Sequence, residues 1–201
     1  MPSHSGQSGS VQGAVVIGAS AGGIGALTEL LPRLPATFDK PVLVVVHLPP
    51  RGRSAVADLF AAQCAVEVKD AEDKEPLRPG VVYFAPPDHH LLVEPDLHAS
   101  LSRDEAVVYS RPSIDVLFTS AADAFGDDLT GIILTGANGD GAEGLHAVME
   151  AGGTGWVQDP ATAEADAMPK AALQACPRAL SLSLGEMVRC LCEGPKTIRP
   201  W

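Results

Sequence analysis

Aromatic and basic side chains are both scarce in this 201-residue sequence. Phe, Trp and Tyr together make up 4% of it, and 14 Lys and Arg stand against 25 Asp and Glu, which gives a formal net charge of −11. Nucleic acids and anionic membrane surfaces are bound by clusters of Lys and Arg. The composition therefore argues against a nucleic-acid-binding protein and against a membrane-surface protein.

Long apolar runs are missing as well. No stretch approaches the ~20 residues that a membrane span requires, and residues 1–9 lack the basic start and apolar core of a signal peptide. We therefore expect a cytoplasmic protein without membrane insertion. Its length suits one domain at 11–194, with an N-terminal tail at 1–10 and a C-terminal tail at 195–201.

Residue patterns that would hold a metal are weak. The cysteines have no Cys-x-x-Cys spacing, and they are expected to be buried, reduced thiols: Cys64, Cys176, Cys190 and Cys192. His89 and His90 are adjacent, and neighbouring side chains in a strand point to opposite faces of the sheet. One histidine is then expected to pack and the other to be solvated. We expect neither a metal nor an organic cofactor.

Strand-like and helix-like stretches alternate along the chain, which is typical of a parallel sheet covered by helices. The predicted fold class is α/β, a single doubly wound, mainly parallel sheet flanked by helices. An antiparallel β-hairpin insertion is predicted around 81–101, and Ser113 is a candidate N-cap. The predicted strands are 11–17, 41–46, 66–68 and 129–134, and the predicted helices are 23–31, 53–63, 114–125 and 142–150.

A glycine-rich turn with a central serine follows the first predicted strand, from Gly18 to Gly23 (GASAGG). Such a turn can bind the pyrophosphate of a dinucleotide, or it can present a serine nucleophile. Ser20 stands where the dinucleotide pattern has its second glycine, and His47 ends the next strand where an acidic residue would hold a ribose. Histidine is instead the residue that a serine needs as general base. Ser20 as a simple helix N-cap is the structural alternative.

A second glycine-rich turn, TGANGDG, follows the strand predicted at 129–134 and contains Asp140. Ligands of open α/β sheets bind at the carboxyl ends of the strands. Ser20, His47 and Asp140 would therefore meet at one edge of the sheet. A hydroxyl, an imidazole and a carboxylate in contact are the groups that acyl transfer uses. Their order along the chain differs from the Ser, Asp, His order of ordinary α/β-hydrolases.

Several further motifs accompany these turns in a fixed order, and together they resemble the catalytic domain of the CheB-type chemotaxis protein-glutamate methylesterases. The resemblance extends from about residue 14 to residue 193. The motifs are IGASAGG at 17–23, HLP at 47–49, YFAPPDHHL at 83–91, RPSIDVLF at 111–118, LTG at 134–136 with DGA at 140–142, and QDP at 158–160 with MP at 168–169.

The resemblance implies a serine hydrolase of the two-component signalling system that removes methyl esters from glutamyl residues on the cytoplasmic helices of chemoreceptors. Many members also deamidate receptor glutamines. It implies Ser20 as nucleophile, His47 as general base and Asp140 as the orienting carboxylate. Backbone N–H groups of Ala21 and Ala137 are the implied oxyanion hole.

Some positions depart from the family pattern. Ala21 stands where many members have Thr, and Val46 where many have Gln. The residues before the first strand are too few for the usual receiver domain, so the sequence resembles a stand-alone catalytic domain, regulated by a separate response regulator or kinase or not at all. Three alternatives stay open: a weakly active or silent binding module of a chemosensory complex, an esterase for a different substrate, and a dinucleotide-dependent oxidoreductase.

Overall fold

The structure is a computed structural model that describes residues 11–47, 55–107 and 109–193. Three groups of predictions lie outside these ranges. They concern both terminal tails, Leu48 and Pro49 of one motif, and the first residues of the helix predicted at 53–63. Within the described ranges, no helix is long and apolar enough to cross a membrane.

Strands and helices alternate as the sequence predicts. The strands are β1 (Ala14–Ala19), β2 (Val42–Val46), β3 (Glu67–Asp70), β4 (Val81–Phe84), β5 (His90–Val93), β6 (Ala99–Ser102), β7 (Leu129–Ile133), β8 (Thr154–Gln158) and β9 (Leu180–Leu182). The helices are α1 (Gly23–Leu30), α2 (Ala55–Ala61), α3 (Ile114–Phe125), α4 (Ala142–Glu150), α5 (Ala167–Ala175) and α6 (Leu184–Glu193).

Seven of these strands form one parallel sheet in the order β3-β4-β2-β1-β7-β8-β9, and β5 and β6 form a separate antiparallel pair. The central strands are apolar and buried on both faces, as parallel strands between two helical layers must be. Alternate side chains of β1 enter two cores. Val15 and Ile17 pack with α1, α2 and α6, whereas Ala14 and Val16 pack with α3, α4 and α5. The predicted fold class is confirmed.

One element boundary differs from the prediction for a physical reason. The first strand was predicted from residue 11 but begins at Ala14, because Gly13 adopts a left-handed backbone (φ +77°) that interrupts an extended strand. The bounds of α3 and α4 agree with the prediction.

The antiparallel hairpin is shorter than the predicted 81–101 insertion. Residues 90–102 form it, with His90 opposite Ser102. β4, predicted as its first strand, instead lies parallel between β2 and β3 in the main sheet. All of β4 is buried, which fits a central parallel strand and not a hairpin with one solvated face.

The direction of strand succession reverses at β1. β2 pairs with one side of β1 and β7 pairs with the other. Loops at the carboxyl ends of neighbouring strands separate at such a switch point and leave a crevice, which is where ligands of open α/β sheets bind. The three predicted catalytic residues follow these three strands.

Helix α3 packs unusually close to the sheet because glycines leave room for its first residue. A Cβ at Gly18 would lie 2.4 Å from Cγ2 of the fully buried Ile114, and a Cβ at Gly141 would lie 2.6 Å from the same atom. The glycines of both turns therefore let the N-terminus of α3 reach the strand ends.

Replacing Gly18 with alanine is expected to destabilise the fold by about 1–3 kcal/mol, because the added methyl group overpacks a buried contact. The measurement is the free energy of unfolding by urea titration. Gly25→Ala is the matched control, since a Cβ at Gly25 of α1 meets no atom within 4 Å. A Gly18→Ala variant as stable as wild type would contradict the proposed close packing.

Candidate active site

Three strand ends bring together the residues that the sequence singled out. Ser20 directly follows β1, His47 directly follows β2, and Asp140 lies in the loop between β7 and α4. Backbone hydrogen bonds continue the sheet into this region. The His47 amide donates to the Ala19 carbonyl (3.0 Å), and the Ser20 amide donates to the Thr135 carbonyl (2.9 Å).

His47 and Asp140 form a direct pair. The distance from His47 Nε2 to Asp140 Oδ2 is 2.8 Å, and the exposed fractions of the two side chains are 13% and 0%. The fully buried carboxylate can therefore fix the orientation of the imidazole ring, and the slightly exposed ring faces the crevice.

Asp140 is held by four donors. Its Oδ1 accepts hydrogen bonds from Ser113 Oγ (2.9 Å) and the Asp115 amide (3.1 Å). Its Oδ2 accepts from His47 and from the Ile114 amide (2.8 Å). The N-terminus of α3 thus binds the carboxylate as helix N-termini bind anions. Burial acts to raise the pKa of Asp140, but the hydrogen bonds from His47, Ile114 and Asp115 outweigh it and lower this pKa.

Ser113 occupies the N-cap position of α3, as predicted, but its side chain does not cap that helix. The hydroxyl donates to Asp140 instead. The Ser113 amide donates to Nδ1 of the buried His90 (3.1 Å). Sequence analysis identified the position of Ser113 and missed its contact with Asp140.

The second nitrogen of His47 points to the chemistry of the site. Nδ1 is buried and has no hydrogen-bond partner within the described ranges. Because Nε2 donates to the Asp140 carboxylate, a neutral His47 carries its lone pair on Nδ1. Ser20 follows the neighbouring strand, and its hydroxyl is not bonded to this nitrogen in the structure. A buried acceptor without a partner at one strand end, with a serine at the end of the neighbouring strand, is what a general base for that serine would require.

Gly22, in the Ser20 turn, is required because another part of the protein packs closely against it. Gly22 is left-handed (φ +77°), and a Cβ there would lie 2.7 Å from Cβ and 2.9 Å from Oε2 of Glu164. The exposed Glu164 side chain therefore packs against the glycine-rich turn. Its negative charge disfavours an anionic pyrophosphate at this turn, which argues against the dinucleotide alternative.

Thr135 links the Ser20 turn to the loop before α5, a role that sequence analysis missed. Its hydroxyl donates to the Ala21 carbonyl (2.8 Å) and accepts from the Ala165 amide (2.9 Å). Its own amide donates to Oε1 of the buried Gln158 (2.9 Å). Gln158 thus holds the loop after β7. Ala21 lies in the Ser20 turn and Ala137 in the loop after β7, which also contains Thr135, and both alanines are exposed.

Asp115, in the first turn of α3, links that helix to α4. Its Oδ1 accepts a hydrogen bond from the Gly144 amide (2.6 Å) at the start of α4. Arg111 pairs with Asp88 (2.6 Å). Burial, with a smaller contribution from the negative charge of Asp140, raises the pKa of Asp115 to about 6.

The fold and the site together define a class: hydrolases built on a parallel α/β sheet, with a histidine–carboxylate pair beside a serine at the carboxyl edge. The family model described as CheB methylesterase matches residues 15–191. The chain belongs to the CheB methylesterase family.

Known proteins of this family resemble the chain over most of its length. The protein-glutamate methylesterase/protein-glutamine glutaminase 1 of Saccharophagus degradans is 41% identical over 163 residues, which cover 80% of this chain and 44% of that protein. A Leptospira interrogans protein, whose name marks the same assignment as provisional, is 48% identical over 162 residues. These residues cover 81% of this chain and 84% of that protein. The crystal structure of the Thermotoga maritima CheB methylesterase catalytic domain superposes with a TM-score of 0.86 at 32% identity, covering 90% of this chain and 97% of that one.

Proposed function

We propose that this protein is a serine esterase that hydrolyses γ-glutamyl methyl esters of chemoreceptors through Ser20, His47 and Asp140. The observation that carries the proposal is the His47–Asp140 pair with its unpartnered Nδ1, one strand away from Ser20. Family membership supports the reaction class, and the His47–Asp140 geometry supports the choice of residues.

His47 acts as the base in this proposal. Nδ1 takes the hydroxyl proton of Ser20 as Oγ attacks the ester carbonyl carbon. The tetrahedral intermediate collapses, the C–O bond to the methoxy group breaks, and His47 returns the proton so that methanol leaves. Water then attacks the acyl-enzyme with His47 again as base, which releases the glutamate carboxylate and restores Ser20. A glutamine side chain would lose ammonia by the same steps.

Asp140 keeps His47 ready for both proton transfers. Its four donors fix the carboxylate, and the carboxylate in turn fixes the tautomer with hydrogen on Nε2. The positive charge that His47 gains in each step is stabilised by this buried anion. The amides of Ala21 and Ala137 are the proposed oxyanion donors. Their support is the Thr135 link, which holds the two loops side by side.

The proposal is tested by methanol release from a methylated receptor cytoplasmic fragment together with labelling by a fluorophosphonate. Wild type should release methanol, and mass spectrometry should find the phosphonate on the peptide that contains Ser20, because His47 activates that hydroxyl. His47→Ala should lose both signals.

Two other outcomes would redirect the assignment. Labelling of Ser20 without methanol release would favour an esterase for a different substrate. A folded wild type with neither signal would contradict the enzyme mechanism and favour a binding module of a chemosensory complex.

A further inference from the structure

We propose that Asp115 is a positioning residue for the His47–Asp140 pair, one that both holds the loop behind Asp140 and adds negative charge beside it. The inference rests on the proposed function and assigns a role to a second carboxylate of the same site. Asp115 does not touch Ser20 or the crevice in this proposal and acts through Asp140.

Asp115 contacts Asp140 and the start of the helix that follows it. Its amide donates to Asp140 Oδ1 (3.1 Å), and its carboxylate accepts from the Gly144 amide (2.6 Å). Gly144 lies in the first turn of α4, which begins at Ala142. One residue of α3 therefore holds both Asp140 and the start of α4.

Among the described residues, the groups that act on the Asp115 carboxyl carry no positive charge. They are the carboxyl group of Asp140 and the backbone amides of Gly144 and Gly141. On the packed elements, Glu143 and His146 of α4 are exposed, and His90 of β5 is bonded to the Ser113 amide. Asp123 lies two turns further along α3 and is also exposed.

A half-buried carboxyl group beside the buried carboxylate of Asp140 disfavours the fold, and this is the second argument for a function. Because the folded protein raises the pKa of Asp115 to about 6, stability that is present below the ordinary pKa of 3.8 is lost as the pH rises through about 6. A residue retained only to cap α4 would need no such charge, since an asparagine oxygen accepts the same Gly144 hydrogen bond.

The charge has a use in the proposed reaction. A second anion next to Asp140 stabilises the imidazolium form of His47, which makes the ring a stronger base toward Ser20. Coulomb's law fixes the direction of this effect: removing the charge of Asp115 makes His47 a weaker base. Salt should weaken the effect less than it would weaken an interaction at the surface, because the groups are partly buried.

The test compares Asp115→Asn with Asp123→Asn, a control on the same helix outside hydrogen-bond contact with Asp140. The first readout is NMR titration of the His47 ring, which needs no substrate. Asp115→Asn should move the midpoint of that titration to lower pH by roughly half a unit to one unit, and Asp123→Asn should move it little. The melting temperature of Asp115→Asn at pH 8 should be no lower than that of wild type.

The second readout is steady-state methanol release. Asp115→Asn should lower kcat at pH 8 by roughly tenfold with KM unchanged, because the residue acts on the base and not on substrate binding. The acid limb of the pH–rate profile should move to lower pH with the His47 midpoint.

The outcomes separate this inference from the proposed function. An unchanged His47 midpoint, or a lower melting temperature with unchanged kcat, would reduce Asp115 to a structural cap and overturn the inference. A shifted midpoint in a protein that releases no methanol would leave the coupling of Asp115 to His47 standing while the esterase proposal fails. If Asp115→Asn does not fold, the NMR titration of the wild-type protein is the test. The inference then requires that ionisation of Asp115 move the His47 ring resonances in the same titration step.

Discussion

Replacing Ser20 with alanine is expected to lower methanol release from a methylated receptor fragment by at least about 10⁴-fold, with the fold unchanged. The change removes the only atom that the proposed mechanism attaches to the substrate, and residual rates in triad enzymes come from binding and oxyanion contacts alone. Ser20 is partly exposed and its backbone bonds do not involve the side chain. The melting temperature should therefore stay close to that of wild type.

Ser181→Ala is the control for this experiment, because Ser181 is an exposed serine on the edge strand β9. It should keep wild-type turnover and phosphonate labelling. A Ser20→Ala protein that still releases methanol at more than a few per cent of the wild-type rate would rule out Ser20 as the nucleophile.

Exchanging Asp140 for asparagine should reduce kcat by roughly 10³- to 10⁴-fold, because an amide favours the wrong tautomer of His47. It should also destabilise the fold by about 1–3 kcal/mol. Both oxygens of Asp140 accept from a backbone amide, one from Ile114 and one from Asp115. Either orientation of an asparagine would direct its NH₂ group at one of these N–H groups.

The pH dependence of stability gives an independent check on the same variant. Since the folded protein lowers the pKa of Asp140, the stability it contributes is present above the ordinary aspartate pKa and is lost as the pH falls. Urea titrations at pH 7 and at about pH 2.5 should show a smaller difference for Asp140→Asn than for wild type, because the loss falls below the ordinary pKa of 3.8. Asp127→Asn, at an exposed position before β7, is the matched control. Equal turnover in Asp140→Asn and wild type would refute the orienting role.

The sequence was sufficient for the sheet class and for the meeting of His47 with Asp140. Buried β-branched runs predict parallel strands, and strand-end residues of such a sheet share one edge. The pattern at 81–84 was misassigned because a short apolar run reads equally well as a hairpin strand or a central strand. Only its burial between β2 and β3 distinguishes the two.

The supporting residues were out of reach for a different reason. Ser113 and Thr135 contact Asp140 and Ala21, which lie 27 and 114 positions away in the chain. Local propensity assigns such a serine to a helix cap. The partner that overrides the propensity is supplied by tertiary packing, which no local pattern contains.

The four-donor arrangement around Asp140 bears on which parts of the site are free to move. The carboxylate has no alternative rotamer that keeps its hydrogen bonds, and it restrains the ring torsions of His47 in turn. In the proposed mechanism, the conformational freedom left among the three catalytic side chains is therefore mainly that of Ser20. Substrate binding would select a Ser20 rotamer, with His47 and Asp140 organised before the ester arrives.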